Sequence, residues 1–226
     1  MALNFLSKQL QHAQALVRLA EHPDSSLVVR SMLEGLCLLK WTAQEPTRAL
    51  RWRQYAAILD VRTARAMGGA TADESSQIVA LALERVSALG DEFLSEKALK
   101  ARDEGRPAPT DPWVTRWYRP QLRQIFEAVQ AEALYEGPYQ SMSEWHHWSP
   151  GGLAQGMRRD GDALSFDARS RTVQAGSLAS AFQCVAATAL LVGEHFDLDG
   201  VVAIANITSA FTQDTRVTHA FRDDAP

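Results

Sequence analysis

One segment constrains the fold more than any other. From Leu27 to Trp41 the chain reads Leu-Val-Val-Arg-Ser-Met-Leu-Glu-Gly-Leu-Cys-Leu-Leu-Lys-Trp, apolar on nearly every face of a helix. A helix that is apolar all round must be enclosed by others, so this segment is expected at the centre of a helical bundle. Val28, Met32, Leu36 and Leu39 cluster on one side, and Arg30, Glu34 and Trp41 line the other with Leu27, Cys37 and Leu38. A charge in such surroundings is costly unless paired. Arg four residues before Glu is the weaker order for a simple helix pair. Each charge is therefore expected to meet the other or a polar group across the bundle.

The rest of the chain also reads as helix. Leu3, Leu6, Leu10, Ala13, Val17 and Ala20 keep the three-four spacing of one face, which predicts an amphipathic helix over 3–21 buried along that stripe. His22-Pro23-Asp24-Ser25 breaks it and supplies caps for the central helix, about 25–43. A third helix, about 46–66, carries Arg48, Arg51, Arg53, Arg62 and Arg65 and stops at Gly68-Gly69. The capping-box pattern from Thr71 to Glu74 predicts a long helix reaching about 104. The three prolines of 105–112 mark an exposed connector. Helices over about 120–135 and 137–149 follow, then a short hairpin around Asp160-Gly161-Asp162 within 158–173. Two Ala-rich apolar helices, 178–193 and 200–211, close the fold, and 214–226 are expected to fray. The fold class is thus all-α, a multi-helix bundle in which 1–226 form one domain.

Composition excludes some functions. Of 226 residues, 46% are hydrophobic and 22% charged, and the net charge is −4. No long basic run occurs, so nucleic acid is an unlikely main ligand. Cys37 and Cys184 sit far apart in apolar runs without metal-ligand spacing, as buried free thiols do. Ser180, Gln183 and Thr188 interrupt the first Ala-rich helix, which therefore reads as core and not as a membrane span. The start of the chain lacks a secretory pattern. A cytoplasmic protein is expected.

Candidate chemistry concentrates in 139–150, where Tyr139, Ser143, Trp145, His146, His147 and Trp148 crowd together. At 100° per residue, Tyr139, Ser143, His146 and His147 share one face, with Met142 at its edge. Ser143 and His147, four apart, can touch. A hydroxyl beside an imidazole is the minimum for a base-activated nucleophile, and it needs a third group to orient the ring. The alternative is that the histidine only ties its helix into the bundle. Adjacent histidines on a helix diverge by about 100°, which hinders joint metal binding, so no metal is expected. Phosphate-loop, dinucleotide-binding, zinc-protease and nucleophile-elbow motifs are absent from the sequence, and no cofactor is expected.

The segment Val29 to Glu34, with Trp41 and Tyr55 downstream, resembles a bacterial all-helical family known only as a domain of unknown function. Members carry an Arg-x3-Glu helix and, about a hundred residues on, a Tyr-x3-Ser-x3-His segment followed by a small residue. Here Arg30, Glu34, Tyr139, Ser143, His147 and Ser149 match those positions, and Trp113 matches an aromatic between them. The similarity spans about residues 10–155. It implies that Arg30, Glu34, Ser143 and His147 form one constellation, and it brings no activity with it. A looser resemblance is to helical nucleases of toxin and phage-defence systems, which carry an Arg with a His about five residues later. The nearest case here, Arg216 to His219, is too short.

The resulting expectation is a polar pocket between helices 25–43 and 137–149, in an enzyme or a small-molecule-binding protein. In the enzyme version His147 is the general acid–base, Glu34 orients it, and Ser143 and Tyr139 bind or activate substrate. Arg30 holds an anionic group, and Trp41 lines the site. A defence or toxin protein acting on RNA or a protein partner, and a purely structural module, are the competing readings. A homodimer through one apolar helix is also expected.

Overall fold

A computed structural model describes residues 1–19, 22, 24–66, 72–147, 149–150, 154, 157–166 and 171–213. Gly68-Gly69, Thr71, Trp148, His219 and the 214–226 tail fall outside the described residues. The architecture is all-α, and the chain divides into two compact units within the span read as one domain. One comprises Met1–Gln44 with Gln121–Pro226, the other Glu45–Pro120.

In the first unit the central element is α2, Ser25–Ala43. Val29, Met32, Leu33, Leu36 and Cys37 are buried, as its all-round apolar pattern requires. Around it pack α1 (Ala2–Leu19), α6 (Leu122–Ala128), α7 (Gln140–His146) and α8 (Arg171–Phe196). α9 (Asp199–Gln213) lies against α8. The small residues of these last two helices let them approach closely. A Cβ on Gly193 would stand 2.9 Å from the Val202 side chain. Gly176–Phe196 is long and apolar enough to cross a membrane by length and composition, despite its polar interruptions, and half of its apolar stretch is buried. Cys184 is buried on α8, and Cys37 and Cys184 are both free.

α1 is rotated from the expected orientation. Its regular apolar stripe is outside, with Leu3 57%, Leu10 46% and Val17 81% exposed, while Gln9 and Leu16 face inward at 2% each. The cause is local. Gly35 of α2 has no side chain, and Gln9 Nε2 lies 3.4 Å from where its Cβ would be. From there the Gln9 amide donates to the Met32 carbonyl at 2.9 Å. A buried amide needs that bond, and it fixes which face of α1 turns inward.

The hairpin of β1 (Met157–Asp160) and β2 (Ala163–Phe166) is antiparallel, with Asp160 opposite Ala163. Gly161, at φ 59°, takes the first turn position, which disfavours a side chain.

The second unit pairs α3 (Pro46–Ala66) with α4 (Ala72–Ser87). The expected single helix to 104 is two. Gly90, at φ 58°, begins a 3-10 turn over Gly90–Phe93, and α5 (Glu96–Asp103) restarts under a Ser95 cap that accepts from Ala98 N. The 105–112 connector is mostly exposed, as its prolines imply. It leads to an extended stretch in which Trp113 bridges to Leu94. Arg51 holds this stretch through Nε to the Trp117 carbonyl at 2.6 Å and Nη1 to Glu92 at 2.5 Å. Arg62 donates to Tyr55 Oη at 2.8 Å and to the Val114 carbonyl at 3.0 Å.

Candidate functional site

The expected helix over 137–149 is shorter and begins irregularly. Pro138 lacks the N–H that a regular helix would use. The chain accommodates it with a π-helical turn over Tyr135–Tyr139, closed by a Gln140 N–H bond to the Tyr135 carbonyl. α7 then runs only to His146, and His147 caps it at φ −85°, ψ 11°. Within this frame Tyr139, Met142 and His146 lie within about 60° of one another, and this narrower face is the one against α2. Met142 stands at one edge of it, beside His146, and is buried at 3% exposure.

Three of the expected residues come together. Tyr139, itself buried, donates from Oη to Glu34 Oε1 at 2.8 Å. The Arg30 guanidinium lies 5.2 Å from the centre of the Tyr139 ring, a cation–π distance. Arg30 Nε stands 3.5 Å from Glu34 Oε1, an ion-pair distance. That contact lacks hydrogen-bond geometry, and the buried Nε has no hydrogen-bond partner among the described residues. Arg30 and Glu34 nevertheless keep 25% and 31% of their side chains exposed, so the pair opens to solvent at one edge. Tyr139 is fixed from behind by aromatic packing on Tyr135, stacked at 5.2 Å, and on Phe126 at 5.5 Å.

Burial pushes the Tyr139 phenol up to about 12, with Glu34 acting in the same direction and Arg30 opposing. The phenol therefore keeps its proton at neutral pH and acts as a donor.

Of the two histidines, His146 joins this group. Its Nε2 and Ser26 Oγ are 2.9 Å apart and share a hydrogen bond across α2 and α7. Burial lowers its pKa below the ordinary histidine value; Asp24 opposes this, and Arg30 and His147 add to it. The ring is therefore neutral near physiological pH. His147 is exposed, beyond the end of the helix, and its backbone N–H donates to the Ser143 carbonyl at 3.0 Å. Ser143 is half-buried on α7. Trp41 is buried on α2, about 10 Å along the axis from Glu34 at 1.5 Å per residue. Trp113 and Tyr55 belong to the second unit.

Sequence reasoning missed Ser26, which stands in the first turn of α2 beside a more conspicuous Asp24. It did place His146 on the shared face. The seven-residue interval from Tyr139, two turns offset by only about 20°, was the signal that would have favoured His146.

No cleft among those described opens at this cluster. One of about 350 Å³ lies at the far end of α2 beside Lys40, Gln44 and Leu191. Another, of about 550 Å³, lies in the second unit beside Trp113 and Tyr118. Among the described residues no three or more His, Cys, Asp or Glu side chains gather as a metal ion would require.

The cluster also lies within the part of the chain that comparison with protein families covers. No curated protein and no solved structure matches the sequence. A family model does match, over residues 1–164, which takes in α1, α2, the whole second unit, α7 and most of the hairpin and leaves α8 and α9 outside. The chain therefore belongs to a family of unknown function, DUF5677.

Proposed function

We propose that the α2–α7 cluster binds a small carboxylate- or phosphate-bearing molecule at Arg30, with His146 as the group that accepts or returns a proton. One observation carries this reading: Arg30 Nε is buried with no hydrogen-bond partner among the described residues, while part of the same side chain reaches solvent. An unsatisfied charged donor is expensive inside a protein; an anion at the solvent-facing edge would meet the rest of the guanidinium and compensate its charge, while Nε itself stays enclosed beside Glu34. Guanidinium is also the side chain best suited to carboxylate and phosphate oxygens.

The neighbours have roles that follow from their contacts. Glu34 holds Arg30 by charge and Tyr139 by hydrogen bond, so it orients the anion-binding group. Tyr139, protonated across the neutral range, offers the ring against which the guanidinium rests. Ser143, one turn before the end of α7, supplies a hydroxyl to the ligand. His146, neutral and tied to Ser26, is suited to general-base work near physiological pH. The acid–base role expected of His147 is assigned to His146 because His147 lies exposed beyond the helix end.

The test uses inorganic phosphate and acetate as probes against the full chain. Each is expected to raise the melting temperature and to shift the ring resonances of His146, and Arg30→Gln is expected to abolish both effects with the fold intact. Equal responses in wild type and Arg30→Gln would sink the reading.

A further inference from the structure

The cleft of about 550 Å³ in the second unit combines an apolar lining with a charged, exposed rim. The buried Trp113 and the half-buried Leu94, Leu99, Val114 and Tyr118 supply the lining. Lys97, Arg116 and Arg119 stand exposed at the rim. Small-molecule sites typically span roughly 300–1,000 Å³ and set a few polar groups against such a lining. The geometry points to a binding site for an aromatic carboxylate, with its ring against Tyr118 and the apolar lining and its anionic group at Arg116 and Arg119.

Charge selects the anionic end. Lys97 and Arg116 make no hydrogen bond or ion pair among the described residues, and Arg119 makes one bond, of 3.3 Å, to the Glu92 carbonyl. Two acids also border the cleft. Asp91 is held by Arg102 at 2.6 Å, and Glu96 stands in the first turn of α5, where the helix N-terminus offsets its charge. Uncommitted cations therefore remain in excess, and a guanidinium matches the two oxygens of a carboxylate. The Arg116 guanidinium lies 5.1 Å from the centre of the Tyr118 ring, a cation–π contact that orders it before a ligand arrives.

Tyr118 selects the aromatic end. Its ring meets Trp117 T-shaped, with centroids 5.5 Å apart, and Trp117 is itself held by the Arg51 bond to its carbonyl. A fixed, half-buried ring offers an aromatic ligand a contact that a saturated ligand does not gain. The two walls are also tied together in the protein alone. Leu94 and Trp113 form a backbone bridge, and the Val114 N–H donates to the Phe93 carbonyl at 2.9 Å. This inference does not rest on the α2–α7 cluster, which belongs to the other unit.

The probe is naphthoate, titrated calorimetrically into the full chain carrying Arg30→Gln, which removes the α2–α7 site as a second carboxylate acceptor. Saturable binding is expected. Adding Arg116→Gln and Arg119→Gln should weaken it by about tenfold or more. Both side chains are exposed, so the melting temperature without ligand should not change. Changing the ligand gives a second readout that does not depend on how those variants fold. Naphthol, which lacks the anionic group, and cyclohexanecarboxylate, which lacks the aromatic ring, should each bind about tenfold more weakly. Absence of saturable naphthoate binding, undiminished affinity after Arg116→Gln and Arg119→Gln, or either analogue matching naphthoate would each overturn the proposal. Because Arg30 is replaced throughout, none of these outcomes bears on the α2–α7 reading.

Discussion

Arg51 and Arg62 in the second unit have each of their three guanidinium nitrogens bonded. Arg51 reaches the Trp117 carbonyl, the Glu92 carboxylate and the Glu92 carbonyl; Arg62 reaches Asp111, Tyr55 Oη and the carbonyls of Trp113 and Val114. Arg30 in the first unit makes an ion pair and a ring contact yet leaves Nε without a hydrogen bond among the described residues. Both kinds of arginine sit on helices beside aromatic rings and carboxylates. The difference lies in the neighbours. An irregular segment such as 111–119 offers backbone carbonyls, and arginines that collect them act as clamps. Helix carbonyls are already committed to their own ladder, so an arginine between two helices must take its acceptors from side chains or from a ligand. Residue type and burial alone would not separate a brace from a binding group; the acceptor count does.

The largest expected effect follows from the clamps. Arg51→Ala removes three bonds, one of them to a carboxylate, from a side chain only 13% exposed. It should cost about 2–4 kcal/mol of stability, measured as a shift in the urea midpoint. If it costs no more than the same change at Arg30, the contrast between the two arginines collapses. Next is Tyr139→Phe, which deletes the bond to Glu34 while keeping the aromatic packing. A loss of about 1 kcal/mol is expected, together with weaker phosphate binding, because Glu34 would no longer be held.

The pH dependence should be smaller and has a definite sign. Burial lowers the His146 pKa in the folded chain, so below the ordinary value of 6.5 the unfolded chain binds the proton more readily. Stability should fall as pH drops through that value toward the lowered one, and His146→Gln should remove part of the fall. His12, lowered by burial and by Lys8, carries the same sign and should account for part of what remains. Urea midpoints at neutral pH and at about pH 5.5, still above the ordinary carboxylate range, would check both. At the alkaline end the Tyr139 phenol, raised to about 12, should make stability fall between about 10 and 12, since the folded state keeps the proton longer. The smallest effect on stability is expected at Arg30→Gln, within about 0.5 kcal/mol. Its consequence should be the loss of phosphate response, and a large destabilisation would class Arg30 with the clamps.

Much of the fold was legible in the sequence because its signals are local. The all-round apolar character of 27–41 marked the central helix, and its observed span, Ser25–Ala43, follows the Asp24-Ser25 break and the Glu45-Pro46 stop. The hairpin at Gly161 follows from turn chemistry. Errors arose where a single residue overrode a pattern. Gly90 split the helix expected to reach 104, and Pro138 forced the π-turn that set the start of α7. The site was partly legible for the same reason. Arg30, Glu34 and Tyr139 stood out as polar groups on apolar faces, whereas the clamps of Arg51 and Arg62 depend on carbonyls of an extended segment that carries no sequence pattern.

The sequence by itself determined that this chain is helical, which helix is enclosed, and that Tyr139 and His146 share a face, since these depend on angles within one helix. Tertiary structure alone decided how the helices are rotated about their own axes. The gap at Gly35 and the Gln9 bond to Met32 turned the regular stripe of α1 outward. The end of α7 at His146 put that ring, and not His147, against Ser26. Periodicity fixes the relative angles of side chains around a helix but leaves the helix free to roll as a body. Only the fit of one helix against the next removes that freedom.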